Sequence, residues 1–221
     1  MRQGFDEGHM KRTVDEHAER FTAKASEYDD SKSDEYQTCA ALVVEYADPN
    51  PDDVILDLGT GTGAIALALA SDAAQILGRD ISEGMLAEAR GKATSAAIEN
   101  VTFEYGEFRD PQLDPGARVD VVTSNFALHH LADDEKREAI GVMAETGARR
   151  IVLGDVAFFE TPDLDEPYYD PDVDDPATVG TLVEAFTAVG FAVVHVERVH
   201  DQVAVIVAER IGSGDEVPGA E

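Results

Sequence analysis

The chain has 221 residues, 43% of them hydrophobic, which is enough for one globular domain with a sizeable core. It carries 46 acidic and 17 basic residues, a formal net charge of −29, with no basic stripe to favour a nucleic-acid partner. No apolar run reaches the roughly 18–20 residues of a membrane span, no secretory signal is visible, and the single cysteine, Cys39, excludes an intrachain disulfide. We therefore expect a cytoplasmic protein with neither a membrane nor a nucleic-acid partner; the oligomeric state stays open.

The acidic residues are spread through every segment, and only five of the basic residues are lysine. A uniformly acidic, lysine-poor globular sequence is typical of adaptation to high salt, where a screening length of about 3 Å at 1 M weakens repulsion between like charges. We predict a halophilic archaeal source. A mesophilic acidic protein is the alternative.

The first patterned segment begins at Thr13, after residues 1–12, for which we predict disorder. Thr13 and Glu16 match a capping box. The apolar residues that follow have helical spacing and form one stripe: Val14, Ala18, Phe21, Ala25 and Tyr28. A second helix is expected over about 34–46, capped by Ser31 or Ser33. Residues 13–47 would thus form two cap helices ahead of the core.

From residue 54 onward, predicted strands and helices alternate. Strands are expected near 54–57, 75–79, 101–105, 119–124 and 150–155, and helices near 63–70, 83–95 and 133–146, the last of them capped by Asp133. This alternation predicts a parallel sheet with helices on both faces.

An acidic, proline-rich loop follows the fifth strand, over about 157–175. Asp175 and Pro176 are expected to start a helix that runs to about residue 189. Residues 191–199 and 202–209 then alternate as the two strands of a hairpin, and 211–221 are predicted to be disordered. We expect one domain over 13–210, with its α/β core over 54–210.

The most informative stretch is the turn after the first strand, Asp57-Leu58-Gly59-Thr60-Gly61-Thr62-Gly63. Its glycines let the backbone pass close to a ligand, and the next helix directs its amide groups at the turn. The spacing fits two templates: the dinucleotide fingerprint, with Ala64 in the last position, and the acidic-x-Gly-x-Gly-x-Gly turn of class I S-adenosylmethionine-dependent methyltransferases. Asp57 favours the second, because a carboxylate suits a cationic sulfonium ligand and would face a dinucleotide's pyrophosphate across a short gap.

Further features match the methyltransferase template. Asp80 ends the second strand, 17 residues after Gly63, where it could bridge two ribose hydroxyls. The helix start at 81–86, the segment 105–108, the fourth strand with its exit at 119–131 and the closing hairpin also match. Over about 28–210 the sequence therefore resembles the class I methyltransferase family.

The resemblance implies a doubly wound, Rossmann-like α/β fold with a seven-stranded, mostly parallel sheet in the order 3-2-1-4-5-7-6, strand 7 being antiparallel. It implies S-adenosylmethionine as the cofactor and S-adenosylhomocysteine as the product. The implied cofactor-binding residues are Asp57, Gly59, Gly61 and Gly63 at the methionine part, Asp80 at the ribose, Ile81 and Met85 at the adenine face, Glu107 and Phe108 at the adenine edge, and Asn125 and Phe126 beside the cofactor. The family more often has Asp at the position of Glu107. Asp57 and Asp80 could instead cap the turn and the next helix, and Met85 could be helix core.

The methyl acceptor is not identified by the sequence. The exit of the fourth strand lacks the Asn-Pro-Pro-aromatic run of methylases that act on DNA adenine or glutamine, and no recognition domain is appended. These features favour a small-molecule acceptor. Candidate substrate-pocket residues are Tyr28, His129, Tyr168 and Tyr169.

No catalytic base is assigned, although His129 and His130 are weak candidates. We expect no metal site, because adjacent histidines should point in different directions and no further ligand set is evident. Two alternative functions stay open. An NAD(P)-dependent oxidoreductase is disfavoured by Asp57 and the closing hairpin, whereas a non-catalytic module that binds S-adenosylmethionine or S-adenosylhomocysteine would need the same turn.

Overall fold

The computed structural model describes residues 12–160 and 169–212, and two helices precede its first strand. Helix α1 (Val14–Lys24) continues into a 3₁₀ helix (Ala25–Ser31), and α2 (Asp34–Ala47) follows, capped by Ser33. The capping box at the start of α1 is confirmed, since the backbone N–H of Thr13 donates to Glu16 Oε2 at 2.8 Å. Within the described ranges, no helix combines the length and apolar character needed to cross a bilayer. The disorder predicted for 1–11 and 213–221 lies outside the described residues.

The remaining elements form a doubly wound sheet. Its strands are β1 (Val54–Leu58), β2 (Gln75–Asp80), β3 (Val101–Tyr105), β4 (Val121–Asn125), β5 (Arg150–Phe158), β6 (Ala177–Thr178), β7 (Phe191–His200) and β8 (Val203–Arg210). The helices between them are α3 (Ala64–Leu69), α4 (Glu83–Ser95), a 3₁₀ turn (Leu128–His130), α5 (Asp133–Glu145) and α6 (Val179–Ala188).

The strand order is β3-β2-β1-β4-β5-β8-β7, with β8 antiparallel to both β5 and β7. This confirms the predicted order, in which β7 and β8 are the sixth and seventh strands. The two-residue strand β6, which pairs only with β5, was not predicted.

The sheet is buried on both faces because neighbouring side chains of each central strand point to opposite sides. Ile55 of β1 joins one core with residues of α2, α3 and α4, whereas Leu56 joins a second core with residues of α5 and α6. Val121 and Val122 of β4 divide between the two cores in the same way. The near-continuous apolar runs of these strands follow from this two-sided burial.

One predicted N-cap and one predicted helix start are wrong. The N-cap of α5 is Ala132, and Asp133 is the first helical residue. Helix α6 begins at Val179 rather than near Asp175, because 177–178 pair with β5 as strand β6. The hydroxyl of Thr178 then caps α6 by accepting from Thr181 N–H at 3.0 Å.

The sheet packs tightly against α2 at Gly154 of β5. A Cβ at this position would lie 2.5 Å from Cys39 Sγ and 2.7 Å from Val43 Cγ2. Cys39 is fully buried, and this burial raises the pKa of its thiol, so the side chain serves as packing in this contact.

We expect Gly154→Ala to lower the free energy of unfolding by about 1–3 kcal/mol, because the added methyl overpacks the contact with α2. The matched control is Gly141→Ala in α5, where an added Cβ has no neighbouring atom within 4 Å. The control should gain about 0.5–1 kcal/mol, because alanine is the better helix former. Urea denaturation measures both values, and equal effects would contradict the packing argument.

Candidate active site

The glycine turn after β1 needs glycine for two separate reasons. Gly59, Gly61 and Gly63 all have left-handed backbone angles, with φ of +66°, +54° and +85°. A Cβ on Gly59 would also lie 2.4 Å from Ala127 Cβ, and one on Gly63 would lie 2.9 Å from Phe103 Cζ. The turn is thus pressed between β3 and the segment that follows β4, while Gly61 is open on the side of Tyr28.

Asp57, at the end of β1, connects three segments of the site. Its carboxylate accepts hydrogen bonds from Thr60 Oγ at 2.6 Å in the turn and from Thr123 Oγ at 2.8 Å on β4. Burial raises the pKa of Asp57 to about 6, although the two hydroxyl donors act in the opposite direction. Asp57 therefore acts as a cap of the turn, and it also lines the neighbouring pocket.

Asp80, at the end of β2, holds the turn from the other side. Its Oδ2 accepts from the Gly61 N–H at 2.8 Å and its Oδ1 from the Ser82 N–H at 2.9 Å. Burial raises its pKa. The cap of α4 is Ser82, whose Oγ accepts from Met85 N–H at 3.3 Å. Asp80 also lines the pocket, so its carboxylate faces both the turn and the open space.

The N-terminal helices close over this turn. Asp29 accepts from Thr62 Oγ at 2.7 Å and pairs with Lys92 of α4. The ammonium of Lys32 lies over the rings of Tyr28 and Tyr36, 3.3 Å and 3.5 Å from their centroids. Burial lowers the pKa of Lys32 to about 7. These contacts make the cap helices one wall of the pocket.

The pocket lies between the glycine turn, the ends of β2 and β4, and α1. It brings together most of the predicted site residues: Tyr28, Asp57, Gly59, Gly61, Asp80, Ile81, Met85, Glu107, Phe108, Asn125, Phe126 and His130. Gly63 and His129 do not line it. Tyr169 packs on Phe158 instead, with ring centroids 5.5 Å apart, and Tyr168 lies outside the described residues.

Glu107 and Phe108 lie beside the turn, beyond β3. Glu107 accepts a hydrogen bond from Tyr105 Oη at 2.7 Å, and this bond helps to raise the pKa of Tyr105 to about 12. The ring of Phe108 lies 3.4 Å from the position that a Cβ on Gly59 would occupy. Both residues therefore line the same pocket as the glycine turn.

His17 and His130, which line the pocket, belong to a cluster of histidines and aspartates. His129 Nδ1 lies 2.5 Å from Asp155 Oδ1, and His130 Nδ1 lies 2.7 Å from Asp174 Oδ1. The two imidazole centroids are 4.1 Å apart, and the ring of His17 from α1 lies 5.0 Å from that of His130. The expectation that the adjacent histidines diverge, with no further ligand set near them, is wrong, because both rings approach Asp174.

The charge states within this cluster differ. Burial alone would lower the pKa of His129, but the Asp155 carboxylate outweighs burial and raises it. Burial and the neighbouring His129 lower the pKa of His130 to about 4. Burial opposes ionisation of Asp174, yet the hydrogen bond from His130 and the two imidazoles lower its pKa to about 2. At neutral pH the cluster thus contains an ionised Asp174 beside a neutral His130.

Comparison with known proteins identifies the family. Residues 55–147 match the model of a family described as a methyltransferase domain. An uncharacterized methyltransferase of Anoxybacillus flavithermus is 30% identical over 182 residues, which cover 72% of this chain and 77% of that protein. The uncharacterized methyltransferase YcgJ of Bacillus subtilis is 30% identical over 148 residues, 66% of this chain and 57% of that protein. This chain belongs to the methyltransferase family.

A solved structure confirms the fold of the methyltransferase. Magnesium protoporphyrin IX methyltransferase from Synechocystis PCC 6803, with S-adenosylmethionine bound, has a TM-score of 0.70 and 22% identity, covering 94% of this chain and 100% of that one. S-adenosylmethionine is the methyl donor of the family. The two curated relatives are bacterial, so the halophilic archaeal source stays a prediction.

Several pocket residues of the methyltransferase were not predicted. Val14, His17 and Phe21 reach the pocket from α1, and Tyr36 reaches it from α2. Val14 and Phe21 belong to the predicted apolar stripe, but the stripe did not show that the pocket shares this face, and His17 and Tyr36 lie outside it. Asp155 follows the apolar run of β5 directly, whereas Asp174 lies in an acidic loop where nothing distinguishes it from its neighbours.

We expect Asp57→Asn to change how the stability of the methyltransferase depends on pH. Because the folded pKa of Asp57 is raised, the folded state keeps a proton between about pH 4 and 6 that the unfolded chain has lost, so stability falls as pH rises through this window. Relative to Asp57→Asn, the native protein should lose up to about 3 kcal/mol between pH 4 and 7. Denaturant unfolding of both proteins across this range measures the difference, and a constant difference would contradict the pKa shift.

Proposed function

We propose that this methyltransferase transfers the methyl group of S-adenosylmethionine to a small-molecule acceptor, as a single domain over residues 13–210. The observation that carries the proposal is the convergence of Asp57, Asp80 and two left-handed glycines, Gly59 and Gly61, on one pocket. Family membership favours this function over an NAD(P)-dependent oxidoreductase.

Each group lining the cofactor side has a proposed partner on S-adenosylmethionine. Asp80 uses two of its lone pairs on backbone N–H groups and has others for the ribose hydroxyls. Ile81 and Met85 pack on the adenine face, and Glu107 and Phe108 border its edge. The remaining residues, Asp57, Gly59, Gly61, Gly63, Asn125 and Phe126, surround the methionine part and the methyl group.

The acceptor end lies between α1 and the segment after β4. His17 and Phe21 line it from the helix, and Phe126 and His130 from the opposite side. This enclosed space between a helix and a loop suits a small molecule. Tyr28 adjoins both ends of the pocket. That Tyr168 and Tyr169 cover the acceptor stays a prediction.

Transfer is an in-line displacement. A lone pair of the acceptor bonds to the methyl carbon while the carbon–sulfur bond breaks. The electron pair of the broken bond stays on sulfur and converts the sulfonium into the neutral thioether of S-adenosylhomocysteine. Aligning donor and acceptor can supply several kcal/mol of the barrier reduction. Of the two predicted candidate bases, His130 reaches the pocket wall, while His129 is engaged with Asp155 and does not line the pocket.

Asp80→Ala should weaken S-adenosylhomocysteine binding at least tenfold, because hydrogen bonds to a charged group contribute about 1.5–3 kcal/mol each. Calorimetric titration in molar potassium chloride measures this affinity, and NADH should give no heat. Asp52→Ala, an exposed aspartate before β1, is the matched control and should bind like the native protein.

Asp80→Asn is a second variant for the same titration, because it keeps the shape of the side chain. Unchanged affinity in a folded Asp80 variant would remove this residue from the site, and heat with NADH alone would contradict the whole proposal. Binding of S-adenosylhomocysteine without methyl transfer to any of a broad panel of small molecules would favour the non-catalytic module.

We also propose adaptation to high salt, supported by the net charge of −29. The free energy of unfolding should rise as potassium chloride increases from 0.1 to 2 M, because the screening length falls from about 10 Å to about 3 Å or less. Chemical denaturation at several salt concentrations measures this slope. A flat slope would support the mesophilic alternative.

A further inference from the structure

Four side chains from three separate parts of the chain meet at the acceptor end of the pocket. His17 comes from α1, His129 and His130 from the 3₁₀ turn after β4, and Asp174 from the segment before β6. One possible ligand atom each from His129, His130 and Asp174 lies within 4.8 Å of the others. We propose that these three residues, completed by His17, bind a divalent transition-metal ion.

His129 is already oriented as a metal ligand would be. Its Nδ1 and its backbone N–H both contact the carboxylate of Asp155, at 2.5 Å and 3.1 Å. Its other ring nitrogen, Nε2, faces Asp174 Oδ2 at 4.0 Å, which is too long for a hydrogen bond. A histidine that binds a metal through one ring nitrogen usually contacts a carboxylate through the other. His129 has this arrangement, with Asp155 at Nδ1 and the possible donor Asp174 facing Nε2.

His17 supplies independent evidence that something binds here. Its side chain is 2% exposed, and neither ring nitrogen has a hydrogen-bond partner within the described part of the chain. Leaving a buried polar group unpaired is unfavourable, so an unpaired imidazole on the pocket wall calls for a ligand. The ring lies 5.0 Å from that of His130, which places it beside the cluster.

The chemistry and spacing of the donors favour a metal ion over an organic group. Zinc–nitrogen bonds are about 2.0–2.1 Å long and zinc sites are mostly tetrahedral, so neighbouring ligand atoms lie roughly 3.4 Å apart. The candidate ligand atoms of His129, His130 and Asp174 all lie within 4.8 Å of one another, so an approach of about 1.4 Å or less brings them to that spacing. Three imidazoles and one carboxylate, without a thiolate, suit Zn²⁺ or Co²⁺.

The consequence for catalysis rests on the proposed methyl transfer, although metal binding itself does not. His17 and His130 line the pocket, so an oxygen or nitrogen of the acceptor could reach the ion. The cluster would then select acceptors that carry such a donor atom.

The test uses the full-length protein after treatment with a chelator and removal of the chelate. Titration with Co²⁺ should give one equivalent of tight binding, with the visible absorption of a four- or five-coordinate ion, and Zn²⁺ should displace it. His17→Ala and Asp174→Ala should each weaken Co²⁺ binding at least tenfold. His195→Ala is the matched control, because His195 pairs with Glu197 on the surface and lies outside the cluster, and it should bind Co²⁺ like the native protein.

The absence of this absorption in the native protein would overturn the proposal without any variant having to fold. Co²⁺ binding that persists unchanged in both cluster variants would also overturn it, because exposed carboxylates would then be the ligands. Titration of the same chelator-treated sample with S-adenosylhomocysteine tests the proposed function separately. If the sample binds S-adenosylhomocysteine but not Co²⁺, the proposed metal site is contradicted and the proposed function is not.

Discussion

The site depends on one buried carboxylate. Asp57 accepts hydrogen bonds from Thr60 and Thr123, and so ties the end of β1 to the glycine turn and to the neighbouring strand β4. Burial favours its protonated form, while the two hydroxyl donors favour the ionised form. The residue is thus a structural cap of the turn, and its carboxylate also lines the pocket.

The N-terminal helices complete the pocket through polar contacts with the turn. Asp29 reaches Thr62 and Lys92, and Thr22 Oγ lies 2.9 Å from Ser82 Oγ at the start of α4. These bonds place the inner face of α1 opposite the carboxyl ends of β1, β2 and β4. Because ligands of open α/β sheets bind at those ends, α1 forms a wall of the pocket where a ligand is expected.

Histidines cluster at the end of the pocket proposed for the acceptor, in a protein that is otherwise strongly acidic. Three of the six histidines of the chain meet there, and each of the two on the 3₁₀ turn is paired with a buried aspartate. Burial, mutual repulsion and aspartate pairing push the pKa values of His129 and His130 in opposite directions. Carboxylates on the surface would not shift the two pKa values in opposite directions, because these shifts require groups that are buried away from water.

The sequence by itself indicated the family, and that resemblance implied the strand order and the antiparallel closing strand that the structure confirms. The resemblance depends on local patterns: apolar runs, a glycine-rich turn and carboxylates placed at the ends of strands. Only the tertiary structure decided that His17 and Phe21 face the same space as Phe126, and that Asp155 and Asp174 meet the paired histidines. Those contacts join residues far apart in the chain, and an acidic loop or an amphipathic helix carries no local signal of its partner. The start of α6 was misplaced for the same reason, since pairing of 177–178 with β5 outweighed the Asp175-Pro176 start signal.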